Sequence, residues 1–389
     1  MKKEYIYIIE ETMNNMNKNA QQTDWQEKIS AAWIQSIQGI SRRKKLQLLS
    51  LCGQAKEVLL LKEKDFTQIL NFDELSIWQQ YEKQKSPYEV WLELEKRHIS
   101  FVSYAEQEFP EKLRQIPDPP FGIYFRGKLP AQEKPALAII GARKNSDYGR
   151  CMAEYFAKSM AAQGVSIISG MAIGVDSYGQ KMALQAGGDS YAVLGCGIDV
   201  VYPPSNLKLY EELIEKGGVL SEYPPGVQPL PKLFPPRNRI ISGLADAVLV
   251  VEAREKSGTL ITVDMALEQG KEIFVVPGRC TDHLSRGCNK LLRQGALAAI
   301  EPQDIMEDMK WNCQIQEKVQ KVSILSQIGQ DLYEVLDVLP HTQDEILNKL
   351  YTKNKKYTIS QVCQGLIELE LAGIVQRTYG QYKLSRIKS

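Results

Sequence analysis

ALAIIGARKNSDYGRCMAEYFAKSMAAQGVSIISG, residues 136–170, places two continuous apolar runs, ALAIIG (136–141) and VSIISG (165–170), on either side of a helical stretch. A strand with one wet face alternates apolar and polar residues, whereas a run that is apolar throughout suits a strand covered on both faces. Four further runs follow: SYAVLG (190–195), GVLSEY (218–223), AVLVVEA (247–253) and EIFVVPG (272–278), each closed by glycine, proline or polar residues before the next helical period. Buried strands alternating with helices predict an α/β domain over residues 100–308, a doubly wound parallel sheet. Ligands of such sheets gather beyond the carboxyl ends of the strands, where helix N-termini point.

Outside this region the pattern changes. Residues 1–95 carry helical spacing without alternation, as in AAWIQSIQGI and KKLQLLSLCGQAKEVLLL, and predict a small helical domain. Within it, QGISRRKKLQLL sets Arg42, Arg43, Lys44 and Lys45 in a row, either as a turn between helices that touches a nucleic-acid backbone or as a solvated helix start. Residues 309–328 are polar and amphipathic and predict a linker or a packing helix. Residues 329–389 read as three helices (DLYEVLDVL, TQDEILNKLY, TISQVCQGLIELELAG) and a hairpin, IVQRTYGQYKLS, turning at Gly380, the order of a winged-helix domain. Between Lys349 and Ser389, eight Lys or Arg (349, 353, 355, 356, 377, 383, 386, 388) stand against Glu368 and Glu370, which leaves DNA contact, partner contact or simple packing open.

The whole chain is nearly neutral. Its 389 residues hold 48 Lys and Arg against 47 Asp and Glu, so any charge-based function must rest on a local cluster. Seven scattered cysteines do not form a secreted disulfide framework and point to a reducing cytoplasm. Cys280, His283 and Cys288 lack the four closely spaced ligands of a structural zinc site, so no metal is expected. The opening MKKEYIYIIEETMNN has acids inside its short apolar stretch and does not read as a signal peptide. No apolar run approaches the roughly 20 residues of a membrane span.

The turns after the strands are therefore where function is sought. GARKNSDYG starts at Gly141, puts Arg143 just past the first run and offers Ser146 or Asp147 as a helix cap. SGMAIGVD brings Ser169, Gly170 and Gly174; EAREKSGTLIT opens a helix at Ser257, Gly258 and Thr259; PGRCTDHLSRGCN closes the series. Several glycine-bearing turns at one sheet edge aim backbone N–H groups and helix dipoles into one crevice, which suits phosphate. Neither the G-x-G-x-x-G fingerprint nor a P-loop is present, so no dinucleotide or ATP cofactor is expected. Between Glu222 and Asp246 there is no acid, while Lys232, Arg237 and Arg239 bring positive charge and Phe234 an aromatic ring. Prolines 224, 225, 229, 231, 235 and 236 predict a stiff loop leading into RNRIISGL. A cation beside an aromatic suits a single-stranded nucleic acid, phosphate on one and base on the other. The competing reading pairs Arg237 and Arg239 with Asp246 or Glu252. An enzyme reading would use Glu222 or Glu252 as acid or base in nucleotide hydrolysis, but no carboxylate pair at a recognisable spacing, Ser-His-Asp order or metal cluster accompanies them.

These motifs resemble the DNA-processing protein A family (DprA, also called Smf). GARKNSDYG is similar to the family's G-[SA]-R…YG turn and SGMAIGVD to its SG-x-A-x-G-[IV]-D; YAVLGCGIDVVYPPSN, LSEYPPG, FPPRNRIISGL, VVEAREKSGTLIT, VVPG and RGCNKLLRQGA follow in family order, from Gly141 to Ala296. The resemblance implies a Rossmann-like domain that binds single-stranded DNA, forms homodimers in the cytoplasm and helps load a RecA-type recombinase during natural transformation. It implies DNA contact by Arg143, Lys232, Phe234, Arg237, Asn238 and Arg239, and a pocket lined by Gly141, Ser169, Gly170, Gly174, Ser257, Gly258 and Thr259. Where many members carry an Ala-His pair after the SG-x-A turn, this chain has Gly179 and Gln180, and the lysine before FPPRNR stands at a spacing that varies in the family.

Overall fold

The computed structural model describes residues 20–311, 326–337, 339–371, 374–378 and 380–384. Most of the expected linker at 309–328, the first 19 residues, and Arg386 and Lys388 lie outside them. All six expected strands form: β3 (Ala136–Ile140), β4 (Ser166–Ser169), β5 (Ser190–Leu194), β6 (Gly218–Ser221), β7 (Ala247–Val250) and β8 (Glu272–Val275). Three strands were not expected: β1 (Ser100–Ser103), β2 (Gly122–Gly127) and the two-residue β9 (Leu297–Ala298). They widen the sheet to the order β1-β2-β6-β5-β4-β3-β7-β8-β9. From β6 to β9 the strands are parallel; β2 pairs antiparallel with both β6 and β1. The expected parallel sheet thus carries an antiparallel flap on one edge. The strand order reverses between β3 and β7, the topological switch point at which such sheets open a crevice.

Alternation within the apolar runs divides them between two cores. Leu137, Ile139, Ile167, Leu249 and Phe274 pack against Met152, Phe156 and Met160 of one helix (Asp147–Ala162) and Val175 and Ala183 of the next (Val175–Gln185). Ala138, Ile140, Ile168, Val248 and Val250 face Ile240, Ile241 and Leu244 of a helix at Phe234–Leu244, and Val263 and Ala266 of one at Gly258–Glu268. Every residue of β3 and β7 is consequently buried, as the unbroken hydrophobic runs require.

In chain order the longer helices are α1 (Ala20–Ser36), α2 (Arg42–Cys52), α3 (Phe72–Gln84), α4 (Pro87–Lys96), α5 (Asp147–Ala162), α6 (Val175–Gln185), α7 (Leu207–Lys216), α8 (Phe234–Leu244), α9 (Gly258–Glu268), α10 (Arg286–Arg293) and α11 (Pro302–Asp308). Helices α1 to α4 enclose an aromatic core in which Trp33 and Trp78 meet edge-on at 5.2 Å. That core runs on into Phe101, Tyr124, Leu194 and Val219 of the sheet. The basic row at the start of α2 is mostly paired, with Arg43 left exposed at the surface. Arg42 and Arg43 pair with Asp118, Lys44 pairs with Glu74, and Lys45 is buried, its ammonium donating to the carbonyls of Gln35 (2.9 Å) and Ile37 (2.7 Å) at the end of α1. These cations join the helical layer to itself and to the sheet region.

Beyond residue 326 come α12 (Gln327–Val335), α13 (Gln343–Thr352), α14 (Ile359–Leu371) and the antiparallel pair β10 (Val375–Thr378) and β11 (Gln381–Leu384), in the expected order. The basic excess counted there is reduced by acids just upstream: Lys355 pairs with Asp331 at 2.9 Å, Lys349 with Asp337 at 3.0 Å and Lys353 with Glu334 at 4.0 Å. No helix among the described residues is long and apolar enough to cross a membrane.

Candidate nucleic-acid interface

The turn after β3 carries Arg143 outward and then enters α5 through Ser146, whose hydroxyl accepts the Gly149 amide at 3.1 Å. The Ser146 amide and hydroxyl in turn donate to the Glu252 carboxylate beyond β7. Across the switch point, Thr259 at the start of α9 donates its hydroxyl to the Gly141 carbonyl at 3.2 Å. Gly258 faces open space, and Ser257 Oγ is buried without a hydrogen-bond partner. The first amides of α9 have no intrahelical acceptors, so this corner joins a helix N-terminus to the β3 turn.

Of the segment expected as a proline-stiffened loop, residues 224–230 are indeed non-helical, but the part from Pro231 onward is helical. Pro231–Leu233 forms a 3-10 turn and α8 begins at Phe234, with Pro235 and Pro236 inside its first turn. Proline is tolerated there because the N–H groups it lacks would have no intrahelical partner. Starting the helix at Phe234 sends that ring over the end of β5 and Arg237 over the end of β4. A Cβ on Gly195 would lie 2.7 Å from the Phe234 ring, and one on Gly170 2.8 Å from an Arg237 terminal nitrogen. These glycines leave the volume that the two side chains fill.

Arg237 is buried. It donates to the carbonyls of Val193 and of Gly170 (3.1 Å), and through Nε to Asn238 Oδ1 at 3.2 Å. Burial pulls its pKa down to about 10, opposed mainly by the Asp176 carboxylate, so it remains a cation at neutral pH. Asp176 is also buried, and the loss of solvation raises its pKa while Arg237 and backbone amides oppose the rise. Sequence reasoning passed over this counter-ion, although it lies in the quoted SGMAIGVD turn. Arg143, by contrast, is exposed. Its guanidinium and that of Arg237 each lie 5.8 Å from the centre of the half-buried Phe234 ring, within cation–π range. Lys232 is exposed on the adjoining 3-10 turn.

Three of the expected site residues are engaged inside the fold. Arg239 is only 4% exposed and grips both Glu222 oxygens at 2.7 and 2.6 Å, with Asp118 at 3.4 Å from its Nε. It is a buried structural cation, and its partners are neither Asp246 nor Glu252. Ser169 is fully buried and spends its hydroxyl on the Ile139 carbonyl, while the Gly170 amide goes to Asp176 at 3.1 Å. Neither offers a donor to a ligand; they shape the floor. The carboxylates named for hydrolysis are engaged as well, Glu222 by Arg239 and Glu252, 1% exposed, by Ser146. Gly174, at φ 95°, adopts a backbone conformation that a side chain would strain, beside the carbonyls of Ala142 and Arg143. Gln180 is buried and ties the Met171 amide to the Tyr191 carbonyl.

Fold and site together define a Rossmann-like protein with a cation–aromatic cluster on the strand-end rim. The profile of the family described as DNA recombination-mediator protein A matches residues 100–310. Protein Smf of Escherichia coli is 37% identical over 295 residues, 75% of this chain and 78% of that one. DNA processing protein DprA of Streptococcus pneumoniae is 38% identical over 220 residues, 56% of this chain and 78% of the relative. Its X-ray structure superposes with a TM-score of 0.65 at 32% identity, covering 71% of this chain and 96% of that one. A structure described for the single-stranded DNA binding mode of DNA processing protein A from Helicobacter pylori gives a TM-score of 0.50 at 30% identity, covering 55% and 95%. The chain belongs to the DprA/Smf family.

Proposed function

We propose that this protein binds single-stranded DNA along the strand-end rim and passes the bound strand to a RecA-type recombinase during natural transformation. The observation that carries the reading is the exposed Arg143 guanidinium above the Phe234 ring, with Arg237 held as a cation beneath the surface. A guanidinium takes a phosphate and a ring takes a base face, without regard to sequence. Arg143, Lys232, Phe234 and Asn238 meet the strand in this reading, and buried Arg237 supports it with its charge from below. Gly141, Gly174, Ser257, Gly258 and Thr259 line the corner beside it. The DNA-processing relatives, and the single-stranded DNA binding described for the H. pylori protein, support it. Recombinase loading, a homodimeric state and a cytoplasmic location rest on the family resemblance. The protein is read as a non-enzymatic binder because Glu222 and Glu252 are buried and already bonded.

The test is fluorescence anisotropy with labelled oligo(dT) across a salt series. Affinity should fall with salt at a log–log slope of about −0.7 for each phosphate neutralised, and Arg143→Glu should weaken binding on the order of tenfold or more while flattening that slope. Salt-independent binding that Arg143→Glu leaves intact would reject the reading.

A further inference from the structure

Tyr202 lies on the same rim. It precedes the prolines of the VVYPPSN turn after β5, stays 38% exposed, and its ring centre is 5.5 Å from that of Phe234 with the planes inclined by 40°. The turn is tied to the neighbouring strand end through Asn206, whose amide donates to the Met171 carbonyl at 2.9 Å. Ile173, 54% exposed, belongs to that neighbouring turn, and Leu230, 45% exposed, precedes the helix that supplies Phe234. Beside the cations of the rim, Arg143 among them, stand two aromatic rings in contact, Phe234 under the Arg143 guanidinium and Tyr202 against Phe234. A half-exposed tyrosine beside a second ring, on a rim otherwise rich in polar turns, is a surface for flat apolar faces.

We infer that Tyr202 and Phe234 form a two-ring platform on which neighbouring bases of one strand stack while Arg143 holds the phosphate between them, and that Tyr202 makes this site selective for single strands. The inference rests on the proposed reading of the rim as a DNA site. The inclination between the rings is its physical core. Bases in a duplex lie parallel at about 3.4 Å spacing, and two bases laid on rings 5.5 Å apart and inclined by 40° cannot keep that stack. A single strand turns its bases freely and meets both rings; a duplex would first have to unstack.

The experiment compares wild type with Tyr202→Ala and Tyr202→Phe on three labelled probes: oligo(dT), an abasic oligomer of equal length and charge, and a blunt duplex. Tyr202→Ala should lose on the order of tenfold in affinity for oligo(dT), keep its affinity for the abasic strand and the duplex, and so lower the ratio of single-strand to duplex binding. Tyr202→Phe should behave as wild type, because the ring and not the hydroxyl stacks. Equal oligo(dT) affinity for Tyr202→Ala and wild type, or equal losses on oligo(dT) and the abasic strand, would overturn the inference. Arg143→Glu serves as the separate control: if it leaves every probe bound as before, the rim is not the DNA site at all. If it weakens all probes while Tyr202→Ala weakens none, the site stands and the platform falls.

Discussion

Arg237 and Arg239 stand two positions apart on one helix, and their surroundings assign them to different tasks. Arg237 lies under the rim with carbonyls and Asp176, whereas Arg239 closes a buried pair with Glu222. Breaking one side of a buried pair strands the other charge, at a cost of about 3–5 kcal/mol. Arg239→Ala should therefore lower stability by that order in urea unfolding, while Arg143→Glu, on the surface, should shift it by less than about 0.5 kcal/mol and act on DNA affinity instead. The reverse pattern would exchange their roles. The sequence displayed both arginines in a stretch free of acids. It could not show that Glu222 folds back from the preceding strand end, or that Asp118 arrives from more than a hundred positions upstream. Arg143 was more legible, since it directly follows a strand and precedes a capped helix, so local geometry alone carries it to the edge.

At the scale of elements, strands buried on both faces were readable because each run is apolar at nearly every position. The flap was not. SFVS of β1 is four residues long, and GIYFRG of β2 mixes an aromatic pair with arginine, so neither stands out from a loop by pattern. Prolines 235 and 236 misled for a different reason: the same residue that breaks a helix interior is suited to its first turn. The junction of β5 with α8 supports a direct test. Gly195→Ala would place a methyl 2.7 Å from Phe234 Cδ1 and must displace the ring. Oligo(dT) affinity should drop several-fold with little change in far-UV circular dichroism, and unchanged affinity would mean that Phe234 takes no part. Helix α14 leaves Ile359, Ile367 and Leu371 exposed at spacings of eight and four along one side. That surface is poorly suited to reading a phosphate backbone, and it agrees with the pairing of nearby lysines by acids.

Across the whole molecule, the contact between helical layer and sheet contains a titratable lysine. Lys45 is 4% exposed, and burial lowers its ammonium pKa to about 7, with Glu222 opposing. In the unfolded chain the same group titrates near its ordinary value of about 10.4. Between these limits the unfolded state binds the extra proton, so this residue's contribution to stability rises with pH by up to about 1.4 kcal/mol per unit, and is fully lost below about pH 7. The stability difference between wild type and Lys45→Met should move in favour of wild type from about pH 7 to about pH 9; a constant difference would show that the lysine stays charged in the fold. The sheet itself ends at one side in β1, four residues long, and at the other in β9, only two. Edge strands this brief expose few unsatisfied amides and carbonyls to a neighbouring molecule. Growth of copies by adding strand to strand at either edge of this sheet is thereby disfavoured.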